Sequence, residues 1–143
     1  MRKLNSKGFT IIELLVVIVI IGILVALALP NLFSAQQRGR DTERKNDLKN
    51  ISQRLETYYN DEQSYPADQA AAVDVDGLGS DAFAGPKGGE TYTYTCTETV
   101  TGTDGDTCQA FTLTAVLENK EDGAAVDEDG TYEVKSVNQP TED

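Results

Sequence analysis

Hydrophobic positions follow three different periods along this 143-residue chain. From Phe9 to Leu29 they are nearly continuous: 21 residues hold a single charge, Glu13, and sixteen are Leu, Ile, Val or Phe. A helix rising about 1.5 Å per residue would carry that run across a hydrocarbon core of about 30 Å. The apolar side chains gain roughly 0.3–0.6 kcal/mol each on insertion, which together outweighs the cost of one carboxylate, about 2.5–3.5 kcal/mol. Further on the period becomes helical. Leu48, Ile51, Leu55 and Tyr58, with Tyr59 adjacent, form one apolar face that should pack on a sheet. Asp41 and Lys45, and Arg44 and Asp47, stand three or four residues apart and are expected on the wetter side. They read either as an ordinary solvated face or as complementary charge between packed copies. Helical signal stops near Asn60, before Asp61-Glu62 and the extended pair Tyr65-Pro66. Residues 67–91, rich in Ala, Asp and Gly, read as a long loop. After that the period is two: residues 92–97, 110–117 and 131–137 alternate as three strands. The predicted class is α+β, a long helix whose second half packs on a small antiparallel sheet.

Composition narrows the chemistry. Twelve basic and 24 acidic residues give a net charge of −12, and there is no histidine. A basic groove for nucleic acid is excluded, as are histidine-based triads and metal sites. No G-x-S-x-G and no phosphate-cradling glycine loop occurs, so the chain does not read as an enzyme. The charge is also unevenly spread. Residues 1–8 are basic through Arg2, Lys3 and Lys7, whereas residues 61–143 hold nineteen acids against Lys87, Lys120 and Lys135.

Glu13 is the informative residue, because an ionisable group inside a bilayer is expensive and normally has a partner. Were the chain cut after Gly8, the new α-amino group of Phe9 would be a cation four residues away at the edge of the apolar run. Every copy would carry the same pair, so staggered neighbours could exchange partners, which is a code for self-assembly. Two other readings compete: a carboxylate that only snorkels to the interface, and a secretory signal peptide cut near Ala26-Leu27-Ala28. Gly22 and Pro30 weaken the helix between them, one by backbone freedom and the other by a missing donor. That stretch should either extend locally in a fibre or hold a plain proline kink.

The run Lys7-Gly8-Phe9-Thr10-Ile11-Ile12-Glu13, followed by the apolar segment with Gly22 and Pro30, resembles the type IV pilin family, which includes secretion pseudopilins and competence pilins. The likeness is close over residues 1–30 and extends to 66. It implies the pilin fold and a division into a leader peptide at 1–8, a transmembrane and assembly helix at 9–29, an amphipathic half-helix at 30–61, an αβ-loop at 62–91 and a β head at 92–143. It further implies cleavage between Gly8 and Phe9 by a prepilin peptidase, N-methylation of Phe9, and pairing of Glu13 with a neighbour's Phe9 amine. The implied partners are further copies of the chain in a helical filament, an assembly platform and its ATPase motor. The implied location is the inner or cytoplasmic membrane, then the cell surface. Adhesion and twitching motility are the implied roles. A fibre of type II secretion or DNA uptake is the alternative within the family, and a membrane-anchored binding module that never polymerises is the alternative outside it.

Two features of the C-terminal half remain. Cys96 and Cys108 flank residues 97–107, read as a loop, and are expected to staple the first hairpin as a disulfide rather than stay as free thiols. Acids gather around glycines at Asp74-Val75-Asp76-Gly77, Asp104-Gly105-Asp106 and Asp127-Glu128-Asp129-Gly130. Alternate carboxylates before a glycine suit a calcium loop, with Asp74 and Asp76 or Asp127 and Asp129 as candidate ligands. The other reading is acidic turns that keep the surface soluble, in which case no cofactor is needed.

Overall fold

The computed structural model describes residues 8–102, 105–119 and 126–137, with no account of the side chains at 101, 102, 105 and 106. The basic leader residues and Asp104 therefore lie outside the described residues. The chain divides into two compact units, Met1–Gln36 and Gln37–Asp143.

In the first unit the backbone enters α1, which runs from Ile11 to Glu62 and continues into the second unit. The helix is long and apolar enough to cross a membrane, and none of its most apolar window is buried within the chain. Phe9, Ile11, Ile12 and every Leu, Ile and Val from 14 to 29 are exposed. Among the described residues an apolar surface of this size has no partner, and it calls for lipid or other helices. Pro30 lies inside the helix, which is unbroken from Gly22 onward. The Ser34 hydroxyl donates to the Pro30 carbonyl at 3.2 Å.

The second unit is built on the other half of α1. Leu48, Ile51 and Leu55 are buried, and Tyr58 and Tyr59 pack partly buried beside them. Against this stripe lie Tyr94, Phe111, Leu113 and Ala115 from an antiparallel sheet ordered β1 (Thr93–Gly102), β2 (Gly105–Val116) and β3 (Thr131–Lys135). The ring of Tyr65 meets the edge of Phe111 at 4.8 Å, and Tyr94 stacks on Phe111 at 5.7 Å. Burying such side chains is worth roughly 1.5–3 kcal/mol each, the main source of stability in this unit. The α+β arrangement expected from the sequence, a long helix followed by a small antiparallel meander, is the one observed.

Two expectations are corrected. Residues 97–107 are not a loop: β1 runs to Gly102 and β2 begins at Gly105. Alternating threonines on a solvated face carry the ladder on, through register shifts between Cys96 and Thr99. The stretch 67–91 is also more ordered than a loop, because it holds α2 (Gln69–Val73) and a 3-10 turn (Ser80–Phe83). The Asp68 carboxylate accepts the Ala71 N–H and caps α2. Gln69 then reaches β1, donating to the Tyr92 carbonyl and accepting the Tyr94 N–H, which covers part of an edge strand.

Candidate functional site: the helix N-terminus and the charged collar

Gly8, Phe9 and Thr10 precede α1 and are exposed. Thr10 and Glu13 form a capping box. The Thr10 N–H donates to Glu13 Oε2 at 3.0 Å, its hydroxyl donates to the same oxygen at 2.7 Å, and the Glu13 N–H donates to Thr10 Oγ1 at 3.3 Å. A helix start leaves N–H groups without intrahelical partners, and this pattern satisfies two of them. It also places the one carboxylate of the apolar run back toward Phe9. The Thr-x-x-Glu spacing is the local sequence signal for such a box, so Glu13 has a capping role beside its charge. Gly22 has open space around it, since an added Cβ would meet nothing within 4 Å. Among the described residues no packing contact requires a glycine there.

In the second unit the structure overturns the reading of Asp41 and Arg44 as wet surface. Both are buried, at 0% and 1% exposure. Arg44 donates through Nη1 to Asp41 Oδ1 at 2.6 Å and through Nη2 to Glu90 Oε2 at 2.7 Å and Glu118 Oε1 at 3.0 Å. Arg40 grips Glu118 with two bonds of 2.6 Å. The Asp41 carboxylate accepts the N–H groups of Glu118 and Asn119, each at 2.9 Å. Asp47, expected near Arg44, instead accepts the Tyr92 hydroxyl at 2.7 Å. Lys45 lies 5.5 Å from the centre of the Tyr132 ring. The collar therefore ties α1 to the loop at Glu90 and to the chain leaving β2.

Burial alone would depress the Arg44 guanidinium, but its bonds to Glu90, Glu118 and Asp41 outweigh that and hold its pKa above the ordinary value. The Arg40 fork pulls Glu118 down to about 2, against the opposing effect of burial. A folded-state carboxylate pKa below its unfolded value adds stability that is complete above about 4.5 and is lost as pH falls toward about 2. Denaturant melts of the chain and of Glu118→Gln should accordingly differ most at neutral pH and converge between pH 4.5 and 2. A gap that stays constant over that range would show that Glu118 acts by packing rather than by charge.

Cys96 and Cys108 are joined, with Cα atoms 5.9 Å apart, and the bridge crosses between β1 and β2 at the irregular register. A bridge closing so short a loop contributes roughly 3 kcal/mol. The candidate calcium residues serve local turns. Asp74 is the C-cap of α2. Asp127 Oδ1 accepts the N–H groups of Asp129 and Thr131 in the turn that places Gly130 at φ 87°. Among the described residues no group of three or more acidic or cysteine side chains is arranged to hold a metal ion.

Residues 3–29 match the model of the prokaryotic N-terminal methylation motif. The chain is 45% identical over 71 residues, half of its own length and 54% of the relative's, to the type IV wide pilus major component PilA4 of Thermus thermophilus. It is 41% identical over 69 residues to the type II secretion system core protein G of Pseudomonas aeruginosa, covering 48% of this chain and 49% of that one. It is 38% identical over 61 residues to the type IV major pilin protein PilA of Myxococcus xanthus, covering 43% and 28%. The chain thus spans about half the length of these two curated relatives. It carries the prokaryotic N-terminal methylation motif, and its homologues are type IV pilins and the core protein G of type II secretion systems.

Proposed function

We propose that this chain is a structural subunit of a type IV pilus that polymerises through its N-terminal helix. The observation that carries this is one carboxylate, Glu13, held at the start of an exposed apolar helical segment about one turn from the Gly8–Phe9 bond. In this reading a prepilin peptidase cuts after Gly8 and Phe9 is N-methylated. The freed amine then pairs with Glu13 of an adjacent copy as the helices leave the membrane for the filament. Lipid covers the apolar surface before assembly, and neighbouring helices cover it afterwards. A motor-driven platform would supply the work of extraction from the inner membrane, and the assembled fibre would serve attachment or twitching motility. The chain's task is mechanical, and the reading assigns it neither catalysis nor a cofactor. Similarity to the core protein G relatives favours a second reading, a subunit of a type II secretion fibre.

Purification of surface filaments and mass spectrometry of their subunit tests the proposal. The expected N-terminus is Phe9 carrying one added methyl group. A subunit beginning near Leu29 would instead support removal of the apolar run as a signal peptide, and a chain retaining residues 1–8 in filaments would overturn the processing step.

A further inference from the structure

Beside α1 in the second unit, a cleft of about 560 Å³ opens between the helix and the segment from Gly77 to Ala82. Its helical wall presents Asp47, Asn50, Gln53 and Arg54, and Leu78 gives it an apolar patch. Gly77, at φ 77°, brings its backbone beside the exposed Arg54 guanidinium, so that a Cβ there would lie 3.1 Å from Cζ and Nη1. The Tyr92 hydroxyl fixes Asp47 through Oδ2. Among the described residues Arg54 makes no ion pair or hydrogen bond, and the amides of Asn50 and Gln53 make none either. A concave site with an exposed cation, an acceptor held by a tyrosine hydroxyl, two amides that both donate and accept, and a small apolar surface suits a polar ligand.

We propose that this cleft binds an acidic sugar, a uronic acid unit of a surface or matrix polysaccharide. Arg54 takes the carboxylate, Asp47 with Asn50 and Gln53 takes the ring hydroxyls, and Leu78 meets a sugar face. The fork geometry of a guanidinium suits a carboxylate. Asp47 disfavours a phosphate, which would bring more negative charge to the same small cleft. A simple carboxylate would leave the amides and Asp47 unused. Against a net charge of −12 the expected affinity is weak, with Kd on the order of millimolar. The inference does not depend on polymerisation, because one copy contains the whole site.

The test uses the full chain, labelled with nitrogen-15, in zwitterionic micelles. A hyaluronan tetrasaccharide, which alternates glucuronate and N-acetylglucosamine, is titrated beside neutral chitotetraose and sodium acetate. Saturable shifts are expected at the Asn50 and Gln53 side-chain amides and at the Gly77 N–H. Chitotetraose and acetate should each bind at least about tenfold more weakly, and Arg54→Gln should lose about tenfold affinity while keeping its spectral dispersion. Equal binding of the neutral sugar would overturn the role of the acid group, and equal binding of acetate would overturn the sugar. Absence of saturation, or affinity unchanged in Arg54→Gln, would overturn the site itself.

Discussion

Replacing Glu13 by glutamine is expected to abolish surface filaments while leaving the subunit in the membrane. The substitution is chosen because glutamine preserves the capping box: its amide oxygen can still accept from the Thr10 N–H and hydroxyl, as Glu13 Oε2 does at 3.0 and 2.7 Å. The start of the helix should survive, and a neutral amide enters a bilayer more easily than a carboxylate. What disappears is the charge. In a filament each α-amino group of Phe9 would then be buried among apolar helices without a counter-ion. Removing one partner of a buried pair costs about 3–5 kcal/mol, or roughly two to four orders of magnitude in association at every interface. Filament counts by electron microscopy, with immunoblots of the membrane fraction, separate assembly from insertion. Filaments at normal density with Glu13→Gln would show that the carboxylate serves only to cap the helix, and the polymerisation proposal would fail with it. Glu13→Ala removes box and charge together, so the comparison of the two variants isolates the capping contribution.

What could be read from the sequence, and what could not, follows from the range of the interactions. The apolar run from Phe9 to Leu29 and the stripe of Leu48, Ile51 and Leu55 are local periodicities, and hydrophobic burial is insensitive to the identity of the partner. The long helix and the alternating strands were therefore legible, as was the pairing of the two cysteines. The hairpin arms between Cys96 and Cys108 were missed because Thr97, Thr99 and Thr101 are polar, although their spacing of two is a strand signal. The collar was missed for a different reason. Asp41 and Arg44 continue the apolar stripe toward the N-terminus, since Arg44 stands four residues before Leu48 and Asp41 three before Arg44. Charge on that face suggested solvent. Only the return of Glu90 and Glu118, 46 and 74 residues away from Arg44, supplies the ions and the peptide N–H groups that make burial tolerable. Partners so distant in sequence leave no mark on local pattern.

That distance makes the collar the more consequential target for stability. Arg44→Ala is expected to destabilise the second unit by about 3–5 kcal/mol, because it leaves the Asp41 carboxylate buried with two N–H donors and without the guanidinium bonded to it. In a domain of about 100 residues each kcal/mol moves the midpoint by roughly 4–8 °C, so a fall of more than about 10 °C should be visible in thermal melts of the full chain in micelles. Asp41→Ala should cost a similar amount by another route. It orphans the N–H groups of Glu118 and Asn119 while Arg44 keeps Glu90 and Glu118. The paired change Asp41→Leu with Arg44→Met discriminates between charge and backbone capping. If the ion pair were the whole of the interaction, an apolar pair of similar volume would restore stability or exceed it. Because Asp41 also caps two peptide groups that no leucine can satisfy, only partial recovery is expected, with a coupling energy above about 1 kcal/mol in the double-mutant cycle. Single variants within about 1 kcal/mol of the unaltered chain would return Asp41 and Arg44 to the solvated face that their spacing suggested. A cost in the expected range would mean that the acidic sheet unit is fastened to α1 by charges it has taken out of water, so that apolar burial along Leu48, Ile51 and Leu55 is only part of the attachment.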